Sequence, residues 1–360
     1  VNLLFVIGDI SSSGGTERVT TEVAAALSDA GHQVSVLSLF GPANPWFDLP
    51  ETISVKAAGL KPAGSNLFRA AAISRCLYQA AVRTEVDAVI LVDSILFAFC
   101  VPWSLFSTAK IVCWEHFNLS TSHGTSMRSL ARLAASRMCD KVVVLTERDA
   151  AAWRAKYHIF DRVQSIWNPI PRFSAYQSSP GDQEPRIALA VGRLAPEKGV
   201  DVLLKAWKKL GDAREGWVLR IVGGGVEEAS LKALADDLEV TESVVFVGQV
   251  RDVAAEYRAA SLYVMSSRWE GLPMTLLEAQ HFGLPSVSTD CMTGPREVLS
   301  CNNGILVKEE DPVDLARGMA RLMASPALRQ EQGAAARENA SRYATSSISR
   351  QWEEMLERLL

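Results

Sequence analysis

The 360-residue chain has six cysteines but no Cys-x-x-C pair, and its cysteines and five histidines form no zinc-type cluster. That spacing argues against both a zinc site and a disulfide framework, so reduced thiols in a cytosolic protein are expected. A long apolar run is also missing. The longest, Ala88 to Trp103, is interrupted by Asp93, Ser94 and Pro102. It falls short of the roughly 20 residues of a membrane-spanning helix and reads as a buried strand, a turn and a helix. The opening Val-Asn-Leu-Leu-Phe-Val-Ile-Gly carries no basic run, so no signal peptide is expected and membrane contact would be peripheral. No sign of charge dominates: 37 Lys and Arg against 41 Asp and Glu leave a net −4, too balanced for bulk binding to nucleic acid. The sequence holds no Gly-x-Gly-x-x-Gly fingerprint, no Asp-x-Asp pair, no internal repeat and no low-complexity segment.

What remains is an ordinary globular composition, 48% hydrophobic and 22% charged, in a chain long enough for two domains at roughly 150 residues each. Short apolar runs alternate with helical segments. Strands are expected at 2–7, 33–39, 88–92, 111–114 and 141–145, and again at 187–191, 218–222, 244–247, 262–265 and 285–288. Short apolar strands of this kind suit a parallel sheet covered on both faces. Between the two sets, residues 168–186 hold four prolines and little periodicity, which reads as a linker. The expected fold class is α/β, with two Rossmann-like, doubly wound parallel-sheet domains at 1–167 and 187–345 facing a central cleft. A last helix over 346–360 carries Trp352, Met355 and Leu359 near one face. Periodicity leaves open which domain it covers, and packing back on the first is one option.

Four segments carry chemistry. In Val191-Gly-Arg-Leu-Ala-Pro-Glu-Lys-Gly-Val200 a strand feeds a loop that opens a helix, placing Arg193 and Lys198 at the sheet edge where open α/β folds bind ligands. A planar fork and a point charge beside a helix start suit a diphosphate, although a solvated loop explains them equally. In Ser266-Ser-Arg-Trp-Glu270-Gly-Leu-Pro-Met-Thr-Leu-Leu-Glu278, Pro273 fits the first helical position, with the N–H groups of Met274 and Thr275 aimed at an anion. Glu270 and Glu278 at such a pocket make sense if each grips hydroxyls, as a nucleotide sugar provides; a capping and a surface glutamate are the alternative. Gly14-Gly15 lets a ligand approach the backbone after the first strand, but a plain tight turn does the same. Gly223-Gly-Gly225 also follows a strand and reads no more specifically. Trp114-Glu115-His116-Phe117-Asn118 ends another first-domain strand, where His116 is either a catalytic or a structural histidine.

Together these segments resemble the GT-B-fold glycosyltransferases of family 4. Gly14-Gly15-Thr16-Glu17 resembles the family's Gly-Gly-x-Glu turn, Gly192-Arg193 to Lys198-Gly199 its Gly-Arg-x4-Lys-Gly segment, and Glu270 to Glu278 its E-x7-E element. The resemblance implies that Arg193 and Lys198 bind the donor diphosphate, that Glu278 holds the ribose, and that Glu270 and His116 lie beside the transferred sugar. Gly15 would approach the donor phosphate, with Gly223, Val250, Gly271, Met274 and Thr275 as further donor contacts and Gly14 and Thr16 on the acceptor side. It further implies transfer with retention of configuration and no metal, by front-face displacement in which the departing phosphate oxygen helps to take the acceptor proton. The absent Asp-x-Asp pair agrees with metal independence.

Gly271-Leu-Pro-Met274 and Thr293-Gly-Pro-Arg-Glu297 depart from the commonest family pattern. Both variants resemble the branch that extends lipid-linked glycans for bacterial cell-surface polysaccharide or glycoconjugates. The resemblance therefore implies a UDP-hexose or UDP-N-acetylhexosamine donor, a polyprenyl-diphosphate-linked acceptor, and work in the cytoplasm at the inner membrane face. Window 52–84 contains Lys56, Lys61, Arg69, Arg75 and Arg83 and no acidic residue. On a helix Arg69, Arg75 and Arg83 fall within roughly a 120° arc, a stripe able to meet anionic headgroups or a lipid diphosphate. Arg128, Arg132 and Arg137 form a second acid-free stretch; solvated helix faces are the other reading of both. Two further functions fit the same fold: a nucleotide-sugar epimerase, which would not depend on an acceptor, and a non-catalytic nucleotide-sugar-binding subunit.

Overall fold

The computed structural model describes residues 1–60, 66–82, 85–99, 108–119, 126–171, 173 and 185–360. It divides into two compact units, Val1–Pro171 with Ala344–Leu360, and Arg172–Tyr343. Most of the expected linker, 172 and 174–184, lies outside the described residues.

The first unit runs β1 (Asn2–Ile7), α1 (Gly15–Asp29), β2 (Gln33–Ser38), β3 (Ser54–Ala57), α2 (Asn66–Val82), β4 (Ala88–Val92), β5 (Lys110–Trp114), α3 (Ser126–Met138), β6 (Lys141–Val144), α4 (Glu147–Tyr157) and β7 (Val163–Ser165). Its strands form a parallel sheet in the order β3-β2-β1-β4-β5-β6-β7. All five residues of β4 are buried, as expected for a central strand covered on both faces. Order reverses between β1 and β4, so the loops after these strands diverge there and leave room for a ligand at their carboxyl ends.

The second unit repeats the pattern as β8 (Arg186–Val191), α5 (Val200–Lys209), β9 (Trp217–Val222), α6 (Glu228–Asp237), β10 (Val244–Gly248), α7 (Val253–Ala259), β11 (Leu262–Met265), α8 (Met274–His281), β12 (Ser286–Thr289), α9 (Pro295–Val298), β13 (Gly304–Val307), α10 (Pro312–Ala324) and α11 (Pro326–Ala340). The sheet order is β10-β9-β8-β11-β12-β13, again parallel. Here the reversal falls between β8 and β11, whose following loops are the Gly192–Gly199 and Ser266–Pro273 segments.

The last helix, α12 (Thr345–Leu359), belongs to the first unit. Its buried stripe of Ile348, Trp352, Met355 and Leu356 repeats at helical spacing, and Trp352 meets Trp114 of β5 edge-on at 4.9 Å. No described helix is long and apolar enough to cross a membrane.

Candidate active site

In the second unit, the loops after β8 and β11 are bound to each other. Arg268 N–H donates to Glu197 O at 2.8 Å and the Ser266 hydroxyl donates to Lys198 O at 3.0 Å. Gly199 sits at φ +60°, and a Cβ there would collide with Ser266 O, so only glycine lets the two backbones approach this closely. Lys198 is thereby aimed across the reversal point, where its Nζ donates to Glu270 Oε1 at 2.7 Å. The Ser267 hydroxyl donates to the same oxygen at 2.7 Å, and the Thr293 hydroxyl fixes the Glu270 carbonyl at 2.6 Å. Lys198 keeps 23% of its side chain exposed. Lys198, Glu270, Gly192, Arg193 and Thr275 line one recess.

Arg193 is differently placed. Its side chain is 75% exposed and pairs with Glu197 at 2.7 Å, a solvent-screened contact that leaves it mobile enough to re-pair. Glu278, Gly223, Val250, Gly271 and Met274 do not line the recess. Gly223, at φ +135°, packs so tightly on the Gly192 backbone that a Cβ would collide with Gly192 O; its glycine is required by that crossing. Pro273 is the cap before α8 and Met274 its first residue, a correction to the expected register. The cap's carbonyl accepts from both Leu276 and Leu277 N–H, so the chain turns one residue later than the proline pattern suggests.

Glu278 is buried on α8, where the Tyr257 hydroxyl donates to its Oε2 at 2.8 Å. The Tyr263 hydroxyl holds the Thr275 Oγ1 at 2.8 Å. Neither tyrosine was signalled by a motif. Tyr257 lies 21 residues from Glu278 in sequence, whereas the Ser267–Glu270 pair is a local i,i+3 contact readable from spacing.

In the first unit, Gly14 caps α1 and Gly15 is its first residue. A Cβ on Gly14 would collide with the Glu17 carboxylate, whereas one on Gly15 would meet nothing within 4 Å, so the open surface is at Gly15. Thr16 is half-buried, its carbonyl accepting the Thr20 hydroxyl at 2.7 Å. His116 follows β5, buried to 9% exposure, its ring against Trp114 at 4.5 Å. Its Nε2 is buried without a hydrogen-bond partner. Burial holds the imidazole down to about 4, against a smaller upward pull from Asp93, so the ring is neutral at physiological pH.

Two arginines of the second basic stretch need correction. Arg128 and Arg132 are buried, 11% and 3% exposed, and ion-paired to Asp93 and Glu115, so neither offers charge to a headgroup. Their acid partners lie 13 to 35 residues upstream, beyond the acid-free window that suggested a free stripe. Arg137 and Arg75 are exposed and Lys56 lies on β3. Lys61, Arg83 and the Arg69 side chain lie outside the described residues.

Comparison with known proteins decides the family. Residues 13–172 match the model for Glycosyltransferase Family 4 and residues 173–339 that for Glycosyl transferases group 1. The chain is 32% identical over 358 residues to an uncharacterized glycosyltransferase of Haemophilus influenzae, covering 98% of this chain and 99% of that one. It belongs to the family 4 glycosyltransferases of GT-B fold. A second relative, 28% identical over 361 residues with 98% and 99% covered, is the amylovoran biosynthesis glycosyltransferase AmsD of Erwinia amylovora. Among solved structures, the apo lipopolysaccharide outer core galactosyltransferase WaaB superposes with a TM-score of 0.78 over 100% of both chains at 21% identity, a likeness of fold. The two α/β domains expected from the alternating strands, and the GT-B fold that the resemblance implied, are therefore what the chain adopts.

Proposed function

We propose that this family 4 glycosyltransferase transfers a hexose or N-acetylhexosamine, with retention and without a metal, from a nucleotide sugar to a glycan in cell-surface polysaccharide synthesis. The observation carrying this reading is the Lys198–Glu270 pair at the β8/β11 reversal, in a recess shared with Arg193 and Thr275. A cation next to a carboxylate suits a ligand that is anionic at one end and hydroxylated at the other. In this reading Lys198 and Arg193 take the diphosphate, assisted by the N-terminus of α8 at Met274 and Thr275. Glu270 takes hydroxyls of the transferred sugar and Glu278 those of the ribose. By the family 4 resemblance His116, its imidazole neutral, stands beside the transferred sugar, and Gly14, Gly15 and Thr16 border the acceptor side.

As the bond from C1 to the phosphate oxygen breaks, negative charge grows on the leaving diphosphate, and preorganised cations there lower the barrier. The acceptor oxygen bonds to C1 from the same face, and its proton passes to the departing phosphate oxygen. The family 4 resemblance favours UDP as the nucleotide and a polyprenyl-diphosphate-linked glycan as the acceptor, at the inner face of the membrane. AmsD and WaaB, named for amylovoran and lipopolysaccharide synthesis, support the polysaccharide context. The test is transfer from UDP-hexoses and UDP-N-acetylhexosamines to polyprenyl-diphosphate glycans, in EDTA and with added divalent ions. The anomeric coupling of the product is read by NMR. Retention with equal rates in both buffers is expected; inversion, a metal requirement, or sugar conversion without acceptor would overturn the reading.

A further inference from the structure

The segment Glu115–Leu119, which carries His116, is held along its length by a buried charge cluster, while His116 Nε2 itself is left unpartnered. Arg128 grips both oxygens of Asp93 at 2.8 Å and reaches Glu115 Oε1 at 3.2 Å. Arg132 Nε donates to Glu115 Oε2 at 2.8 Å, a carboxylate that the Ser94 hydroxyl also meets. The other two nitrogens of Arg132 donate to the carbonyls of Phe117, Asn118 and Leu119 at 3.1 to 3.2 Å. Phe117 N–H returns to Glu115 Oε1 at 3.1 Å, Leu119 N–H donates to Asp149 Oδ1 at 2.7 Å, and the Arg128 guanidinium lies 4.5 Å from the Phe117 ring centroid.

Two cations and two carboxylates, Glu115 fully buried and Asp93 still 18% exposed, are weak evidence for stability alone, because apolar replacements of such clusters are often neutral or favourable. Asp93 also sits at φ +101°, a strained conformation for a non-glycine residue, and such strain concentrates where geometry serves function. The contacts to Glu115, Phe117, Asn118 and Leu119 fix the chain on either side of His116, and none of them occupies its Nε2. We infer that the Asp93–Arg128–Glu115–Arg132 quartet is a positioning device for His116, fixing residues 115–119 and with them the setting of the buried imidazole. The inference rests on the role given to His116 under the proposed function.

Arg128→Lys keeps the charge and loses the two-pronged grip, and Glu115→Gln keeps the shape and loses the charge. In either variant, the His116 imidazole resonance in 15N NMR should move, and turnover should fall roughly tenfold or more through misplacement. Donor KM should stay within about twofold. On a His116→Ala background the same change should cost less than about twofold, because its effect runs through His116. An equal cost on that background, or an unmoved resonance with unchanged turnover in a folded variant, would overturn the inference. If Arg128→Lys fails to fold, Glu115→Gln takes its place in the cycle. Should the wild type transfer no sugar, the functional reading fails, and the resonance alone decides whether the quartet sets the imidazole.

Discussion

The two units set charged side chains at the carboxyl ends of their sheets in opposite ways. In the second, Lys198 meets the single carboxylate of Glu270 and keeps about a quarter of its side chain exposed, and Arg193 is largely in solvent. In the first, Arg128 and Arg132 are closed in, and Glu115, fully buried, is met by both of them. A cation that is to receive a ligand needs a partner it can exchange and a path to solvent; one that builds a scaffold needs several fixed partners and none to lose. All four are plain basic residues in the sequence, and only the number and burial of their partners separates the two roles.

The sharpest way to break this comparison is Arg128→Ala. It leaves Asp93 without its guanidinium and Glu115 with Arg132 alone, and stability should fall by about 3–5 kcal/mol, read from the urea midpoint. A midpoint close to wild type would mean the quartet is dispensable. Lys198→Ala should do the reverse, leaving the midpoint nearly unmoved while turnover drops on the order of 10²–10³-fold. Normal turnover would remove Lys198 from the stabilisation of the leaving group.

Tyr257→Phe should have a smaller effect. It removes the hydroxyl that holds Glu278, and a hydrogen bond to a charged group is worth about 1.5 kcal/mol or somewhat more. Nucleotide binding should therefore weaken roughly tenfold with turnover at saturation little changed; unaltered affinity would detach Tyr257 from the donor site.

The smallest effect is a pH dependence inside the first unit. His116 is held down to about 4 by burial, so between its ordinary 6.5 and about 4 the unfolded chain takes the proton first and stability falls as pH drops. Asp149 is pushed up to about 6, chiefly by burial. Between about 6 and its ordinary 3.8 the folded chain takes the proton first, and stability rises as pH drops. The two offset each other in the wild type. Asp149→Asn should uncover the histidine slope, so the variant loses more stability than wild type between pH 6.5 and 4.5; parallel urea profiles would contradict this.

Much of this was legible in the sequence because it is local. The two strands at the centre of the sheets read plainly, the apolar runs Ala88–Val92 and Leu262–Met265 coinciding with β4 and β11. The strands left unread, β3, β7 and β13, all lie at sheet edges, where one flank faces away from the core and the apolar pattern thins. Loop motifs after β8 and β11 gave Lys198, Glu270 and Thr275, because strand-end loops at a reversal point must converge. The contacts that could not be read are long-range. Tyr257 with Glu278 and Arg128 with Asp93 join residues 21 and 35 positions apart, and no periodicity records such a pairing. The acid-free stretch holding Arg128 and Arg132 misled for that reason, since local charge counts say nothing of a carboxylate delivered by another strand.

The central claim is that the β8/β11 recess and Glu278 form a nucleotide-sugar donor site. Its most direct test is calorimetric titration of UDP, GDP and ADP into the wild type, Lys198→Ala and Glu278→Ala. The account predicts saturable binding of one nucleotide, UDP, to the wild type, with affinity lost or sharply reduced in both variants while their folds persist. Failure of all three nucleotides to bind the wild type, or an unchanged affinity in Glu278→Ala, would contradict it.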